Sequence, residues 1–140
     1  VPLLDHIVVG LEPVVGFRRG GRARCGRLAT EDGSLVRAVG LQPLLEVHDR
    51  EDLKNALPLN PRAIGINARD LRTLTLRKER VFELLPFIPK GTIIVAESGI
   101  QSSEDMKRLM GRVDAVLVGE AIVSANRPDE AIRGLLSVNS

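Results

Sequence analysis

Eight residues stand where short apolar runs of this chain give way to polar or glycine-bearing tips: Glu46, Asn67, Arg69, Glu97, Ser98, Gly99, Gly119 and Glu120. Their types fit a small set of chemical jobs. A carboxylate among Leu44, Leu45 and Val47 is costly to bury without a partner, so Glu46 is a candidate general acid or base, or else one half of a structural salt bridge, with Arg69 as a partner in reach. Asn67 and Arg69 are two apart, so in a strand they share a face; the amide can hold a hydroxyl or carboxylate and the guanidinium can grip a carboxylate with its planar fork. Arg69 has an alternative on the rim, in Asp70 or Asp49. Ser98-Gly99 and Gly119-Glu120 each follow an apolar run, where glycine lets backbone N–H groups approach an anion and a following helix adds a favourable dipole. Two such turns side by side make a phosphate cradle without lysine; each glycine taken alone reads more readily as a tight turn. Glu97 faces either side of its strand, and His48, two residues past Glu46, reads as a hydrogen-bonder on the rim.

These tips need four strands to hold them. The runs are Gln42 to Val47, Ala63 to Ile66, Thr92 to Ala96 and Asp114 to Val118, spaced about 20 to 29 residues apart. Between them lie helical stretches. Asp49 caps a helix over 50–57, with Pro58 after it; a second covers 77–85 and is closed by Pro86 and Pro89. Ser102, with Asp105 three residues on, resembles a capping box opening a helix to Met110, which Gly111 stops. A short turn covers 120–123, and Pro128 opens a helix to Leu136. A further short helix is expected over 34–39, ending at Gly40. Strand–helix alternation of this kind predicts right-handed crossovers and a parallel sheet, whose chemistry gathers at the carboxyl ends of the strands.

Size and composition narrow the reading. At 140 residues the chain is too short for a closed eight-stranded α/β barrel, which takes about 250. Three Phe with no Trp or Tyr leave Val, Ile, Leu and Ala to build the core, which suits parallel strands covered on both faces. The net charge of +2 and the lack of an aromatic platform argue against nucleic acid as a partner, although Arg18, Arg19, Arg22, Arg24 and Arg27 crowd one glycine-rich loop. A single Cys25 excludes an internal disulfide and a cysteine metal cluster. The opening nine residues are too short, and too broken by Asp5 and His6, for a signal peptide or membrane span, so a cytoplasmic location is expected. Residues 1–33 read as an irregular Gly/Arg-rich segment, and 34–140 as the periodic βα domain.

Four segments then carry a family likeness. Leu44-Leu45-Glu46-Val47-His48-Asp49, Ile64-Gly65-Ile66-Asn67-Ala68-Arg69-Asp70-Leu71, Val95-Ala96-Glu97-Ser98-Gly99-Ile100 and Ala115-Val116-Leu117-Val118-Gly119-Glu120 resemble indole-3-glycerol phosphate synthase, in order and spacing. The likeness runs from about residue 34 to 136 and is specific, because other phosphate-binding barrels share the glycine turns but not both polar motifs. The resemblance implies a partial TIM (βα)8 barrel of four to five βα units, strands five to eight of the family fold. It implies a cofactor-free, metal-free carboxy-lyase of tryptophan biosynthesis that closes the indole ring of a carboxyphenylamino-deoxyribulose phosphate with loss of carbon dioxide and water. Under it, Glu46 and Asn67 are catalytic, Arg69 and Ser98 bind substrate, and Gly99, Gly119 and Glu120 hold the phosphate.

The family's first strand ends in a Glu and a Lys, and its third carries the lysine that acts as general acid. Here Pro13 to Arg19 looks like a degraded first strand, with Phe17 in the place of the Glu and Arg19 in that of the Lys. None of Lys54, Lys78, Lys90 and Lys107 falls at a strand tip, and Gly20 to Gly33 is too short for strands two to four. Arginine, with a pKa above about 12, does not replace a lysine acid. The expectation is therefore impaired turnover; the alternative is a non-catalytic module that binds a phosphorylated ligand, or that assembles with a second copy or a partner chain to complete a barrel.

Overall fold

The computed structural model describes residues 6–8, 44–70 and 73–137. They form one five-stranded parallel sheet with helices on the connections. β1 is His6–Val8, β2 Leu44–Val47, β3 Ala63–Asn67, β4 Ile93–Glu97 and β5 Ala115–Leu117, in the spatial order β1-β5-β4-β3-β2. α1 (Arg50–Ala56) follows β2, α2 (Arg80–Leu84) follows β3, and α3 (Ser103–Leu109) follows β4; α4 (Glu120–Val123) and α5 (Pro128–Leu136) follow β5. Successive strands neighbour one another from β2 to β5, as expected for half of a (βα)8 barrel. The sheet gains a fifth strand because β1 pairs with the far side of β5, with His6 opposite Ala115. The sequence reading looked for a first strand at 13–19; that stretch, the helix at 34–39, the arginine cluster and Cys25 lie outside the described residues.

Alternation along the strands separates two faces. Val47, Ile64, Ile66, Ala96 and Val116 point toward the helices and pack with Leu53, Val81, Leu84, Met106, Leu109 and Leu135 in the main core. The opposite face carries smaller or polar groups, and the register sets them in rows. Glu46 lies beside Gly65, Gly65 beside Val95 and Val95 beside Ala115; one step further on, Asn67 lies beside Glu97 and Glu97 beside Leu117.

The helix starts follow their caps. Asp49 and Ser102 are extended residues whose side chains accept the N–H of Asp52 and Asp105, each three residues on. Pro58 and Pro86 differ from the sequence reading. They stand in the first turn of short 3-10 segments, Leu57–Leu59 and Leu85–Phe87, which prolong the helices rather than end them. α2 begins three residues later than expected. Leu76 is bridged antiparallel to Arg69, and the Arg77 N–H donates to the Ala68 carbonyl at 2.7 Å, so these residues close a hairpin after β3 and are not free to wind a helix.

Candidate functional site

At the carboxyl end of β2 to β4 four side chains meet. Asn67 donates from Nδ2 to Glu46 Oε1 at 3.1 Å, across the β2–β3 pair. The Asn67 Oδ1 accepts the Arg69 backbone N–H at 2.9 Å, which fixes the amide's orientation. His48 Nε2 lies 2.8 Å from the same Glu46 oxygen but off the line of a hydrogen bond, so the contact is an ion pair. The partner of Glu46 is thus His48, not Arg69 as the sequence suggested. On its other side, His48 Nδ1 is 3.2 Å from Asp52 Oδ2, and its backbone N–H donates to that oxygen at 3.0 Å.

Glu97 completes the group, and Gly65 explains how. A Cβ on Gly65 would sit 1.9 Å from Glu97 Oε1. The missing side chain of β3 leaves a channel through which the Glu97 carboxyl lies across the strand and hydrogen-bonds to Glu46. Glu97 is 5% exposed. Burial first, then the negative charge of Glu46, pushes its pKa up to about 8. Contact with His48 draws the Glu46 pKa below the ordinary carboxylate value against the effect of burial, with help from Asn67. Contact with Glu46 raises that of His48, again against burial, with Asp52 adding to the rise. Near neutral pH the pair therefore holds an ionised Glu46 beside a protonated Glu97, one acceptor and one donor of a proton.

A second feature adjoins this cluster. A cleft of about 290 Å³ is lined by Arg69, Ser98, Gly99, Gln101, Gly119 and Glu120. Ser98 and Gly99 both adopt left-handed backbone, at φ 64° and 78°. Gly99 is needed on a second count, since a Cβ there would meet Leu76 Cδ1 of the hairpin at 2.8 Å. Gly119 caps the N-terminus of α4 with no side-chain oxygen on the first amides. The Arg69 guanidinium spans the cleft to the Glu120 carboxylate. Glu120 is 70% exposed in that pair, so the ion pair is worth at most about 1 kcal/mol and exchanges readily.

Sequence reasoning therefore located both parts of the rim, while the structure divides them. Glu46 and Asn67 touch each other; Arg69, Ser98, Gly99, Gly119 and Glu120 line the neighbouring cleft. It left Glu97 undecided between two faces, gave His48 only a rim role, and did not single out Asp52 or Gly65. The signal for Glu97 and Gly65 lay in the strand register, which aligns Asn67 with Glu97 and Gly65 with Val95. Lys78 is held by α3, with Nζ 2.7 and 2.8 Å from the two carboxylate oxygens of Asp105. Among the described residues no cluster of three or more His, Cys, Asp or Glu has the arrangement to hold a metal ion, and no helix is long and apolar enough to cross a membrane.

Comparison with known proteins bears on residues 28–135, which match the family model for indole-3-glycerol phosphate synthase. The indole-3-glycerol phosphate synthase of Alkaliphilus metalliredigens is 45% identical over 100 residues, covering 71% of this chain and 38% of its own. The Parafrankia enzyme of that name is 39% identical over 106 residues, covering 75% and 40%, and the Thermococcus kodakarensis one 42% over 102, covering 71% and 45%. The chain thus spans about two-fifths of the length of these curated relatives. A solved Amycolatopsis orientalis BexX/CysO complex aligns at a TM-score of 0.48 and 25% identity, over 79% of this chain and 49% of that one, too loose a match to build on. The strand-tip motifs, the half-barrel sheet and the family match agree: this chain belongs to the indole-3-glycerol phosphate synthase family.

Proposed function

We propose that this chain carries the strand-five to strand-eight side of an indole-3-glycerol phosphate synthase site, serving the decarboxylating ring closure of carboxyphenylamino-deoxyribulose phosphate in tryptophan biosynthesis in the cytoplasm. The observation that supports this most is the juxtaposition of an ionised Glu46 and a protonated Glu97 with a cleft built largely on backbone. Ring closure joins an aromatic carbon to the sugar's carbonyl carbon, then expels carbon dioxide and finally water. A proton must reach the carbonyl oxygen and later the leaving hydroxyl, and another must be taken up elsewhere. Glu97 holds a proton to give, and Glu46, steadied by Asn67, is placed to accept one. Ser98, Gly99, Gly119 and the backbone N–H of Glu120 would receive the phosphate, and Arg69, released from Glu120, the substrate carboxylate.

Two observations favour a second reading, in which the chain binds the phosphorylated ligand without turnover or does so after a second copy or partner chain completes the barrel. Lys78 is tied to Asp105, and no other lysine takes the place of the family's general acid among the described residues. Among those residues β1 and β2 form the two edges of the sheet.

Product formation is simple to follow here, since the chain has no Trp and no Tyr and the indole made would be the fluorophore. With purified protein and the substrate, slow growth of indole fluorescence that Glu46→Gln abolishes is expected. Ligand-induced thermal stabilisation without turnover would select the binding reading. Robust turnover indifferent to Glu46→Gln, or no stabilisation at millimolar substrate or phosphate, would sink the assignment.

A further inference from the structure

The acid/base pair does not stand alone. His48 has a carboxylate oxygen at each ring nitrogen, Glu46 Oε1 at 2.8 Å from Nε2 and Asp52 Oδ2 at 3.2 Å from Nδ1. A neutral imidazole has one N–H and one lone pair, so either tautomer would turn a lone pair toward a carboxylate. Only the doubly protonated ring suits both neighbours. The charged and titratable groups facing it are Glu46 on its own strand, Asp52 on α1 and, through Glu46, Glu97 on β4. Among the described residues, no Lys or Arg forms a salt bridge with Glu46, Asp52 or Glu97.

We infer that Asp52 and His48 are positioning residues for Glu46: Asp52 fixes the imidazole by its Nδ1 edge so that a positive ring lies against Glu46, with Nε2 2.8 Å from its Oε1, which keeps the single proton of the Glu46–Glu97 pair on Glu97. The order of contacts is Asp52, His48, Glu46, Glu97, running from an external helix into the sheet's inner face. Asp52 also accepts the His48 backbone N–H, which a purely structural cap would do equally well. That duty survives in Asp52→Asn, whose amide oxygen still accepts; the negative charge behind the ring does not. The His48 pKa, raised first by Glu46 and next by Asp52, agrees with this direction. The inference rests on the proposed role of Glu46, but its test does not pass through turnover.

The chain has two histidines, His6 and His48, so its imidazole NMR spectrum holds two sets of signals, which His6→Gln assigns. The expected result is a His48 midpoint above that of the same residue in the urea-unfolded chain, with both ring nitrogens protonated below it. Asp52→Asn should move that midpoint down, and Glu46→Gln should move it down further. A His48 that titrates at or below its unfolded midpoint, or one indifferent to Asp52→Asn, overturns the inference. The wild-type comparison needs only the His6→Gln assignment and no change within the Asp52–His48–Glu46–Glu97 chain. Ligand-induced thermal stabilisation is measured separately: if it is absent while the titration behaves as expected, the proposed function fails and the relay stands.

Discussion

The two sides of the rim are made of different materials. On the β2–β4 side, five side chains from three strands, a strand-end loop and α1 gather in a largely buried polar chain, and the middle strand contributes an absence at Gly65 besides its Asn67. On the β4–β5 side, the cleft is shaped by backbone: two consecutive left-handed residues, a glycine cap and an exposed, exchangeable ion pair. The first can set protonation states because its groups are desolvated and coupled. On the proposed reading, the second receives an anion, its one cation being lightly held in an exposed pair.

The sharpest way to separate the two is Gly65→Ala. The new Cβ would claim the position of the Glu97 carboxyl, and a destabilisation of about 1–3 kcal/mol is expected in urea unfolding. The thermal shift given by phosphate should survive, since Gly65 does not line the cleft. Loss of both together would mean that the sides are one unit.

The pH dependence of stability tests the carboxylate side next. Glu97 keeps a proton in the folded chain that the unfolded chain releases near its ordinary value of 4.5, so its contribution erodes as pH rises from there to about 8. His48 acts in the same sense: its raised pKa stabilises below the ordinary value of 6.5, and that contribution is lost as pH rises through the folded value. Glu46, whose pKa is lowered, stabilises above 4.5 and is lost on acidification through its folded value. Thermal midpoints should therefore decline from mildly acidic toward pH 8, and Glu97→Gln should flatten that decline. An unchanged slope in the variant would place the buried proton elsewhere.

Smaller effects are expected on the cleft side. Glu120→Gln frees Arg69, and phosphate affinity measured by calorimetry should rise a few-fold, in line with an exposed pair worth at most about 1 kcal/mol. Ser98→Gly removes the cost of a left-handed residue with a side chain, and a gain of up to about 1 kcal/mol in unfolding free energy is expected.

Much of this arrangement can be read from single segments. Apolar runs gave four strands, Asp49 and Ser102 announced their helices, and the glycines marked the β4 and β5 turns. β1 escaped because three residues carry too little periodicity, and the prolines misled because proline opens a 3-10 turn as readily as it ends a helix. The carboxylate cluster was half legible. Glu46 and Asn67 stood out by type, but the meeting of Glu46 with Glu97 depends on how three strands are staggered, and the His48–Asp52 contact on how α1 leaves its strand. Alternation within one strand says which residues share a face, not which of them touch across it.

Gly65 and Glu97 occupy a single parcel of space, and this makes them one locus rather than two. A methyl group on β3 and a shortened acid on β4 exchange volume almost one for one. In a combinatorial library, Ala or Ser at 65 should accordingly be recovered alongside Asp at 97 more often than either change alone. Any transplant of this acid into another parallel sheet has to bring the bare strand position with it.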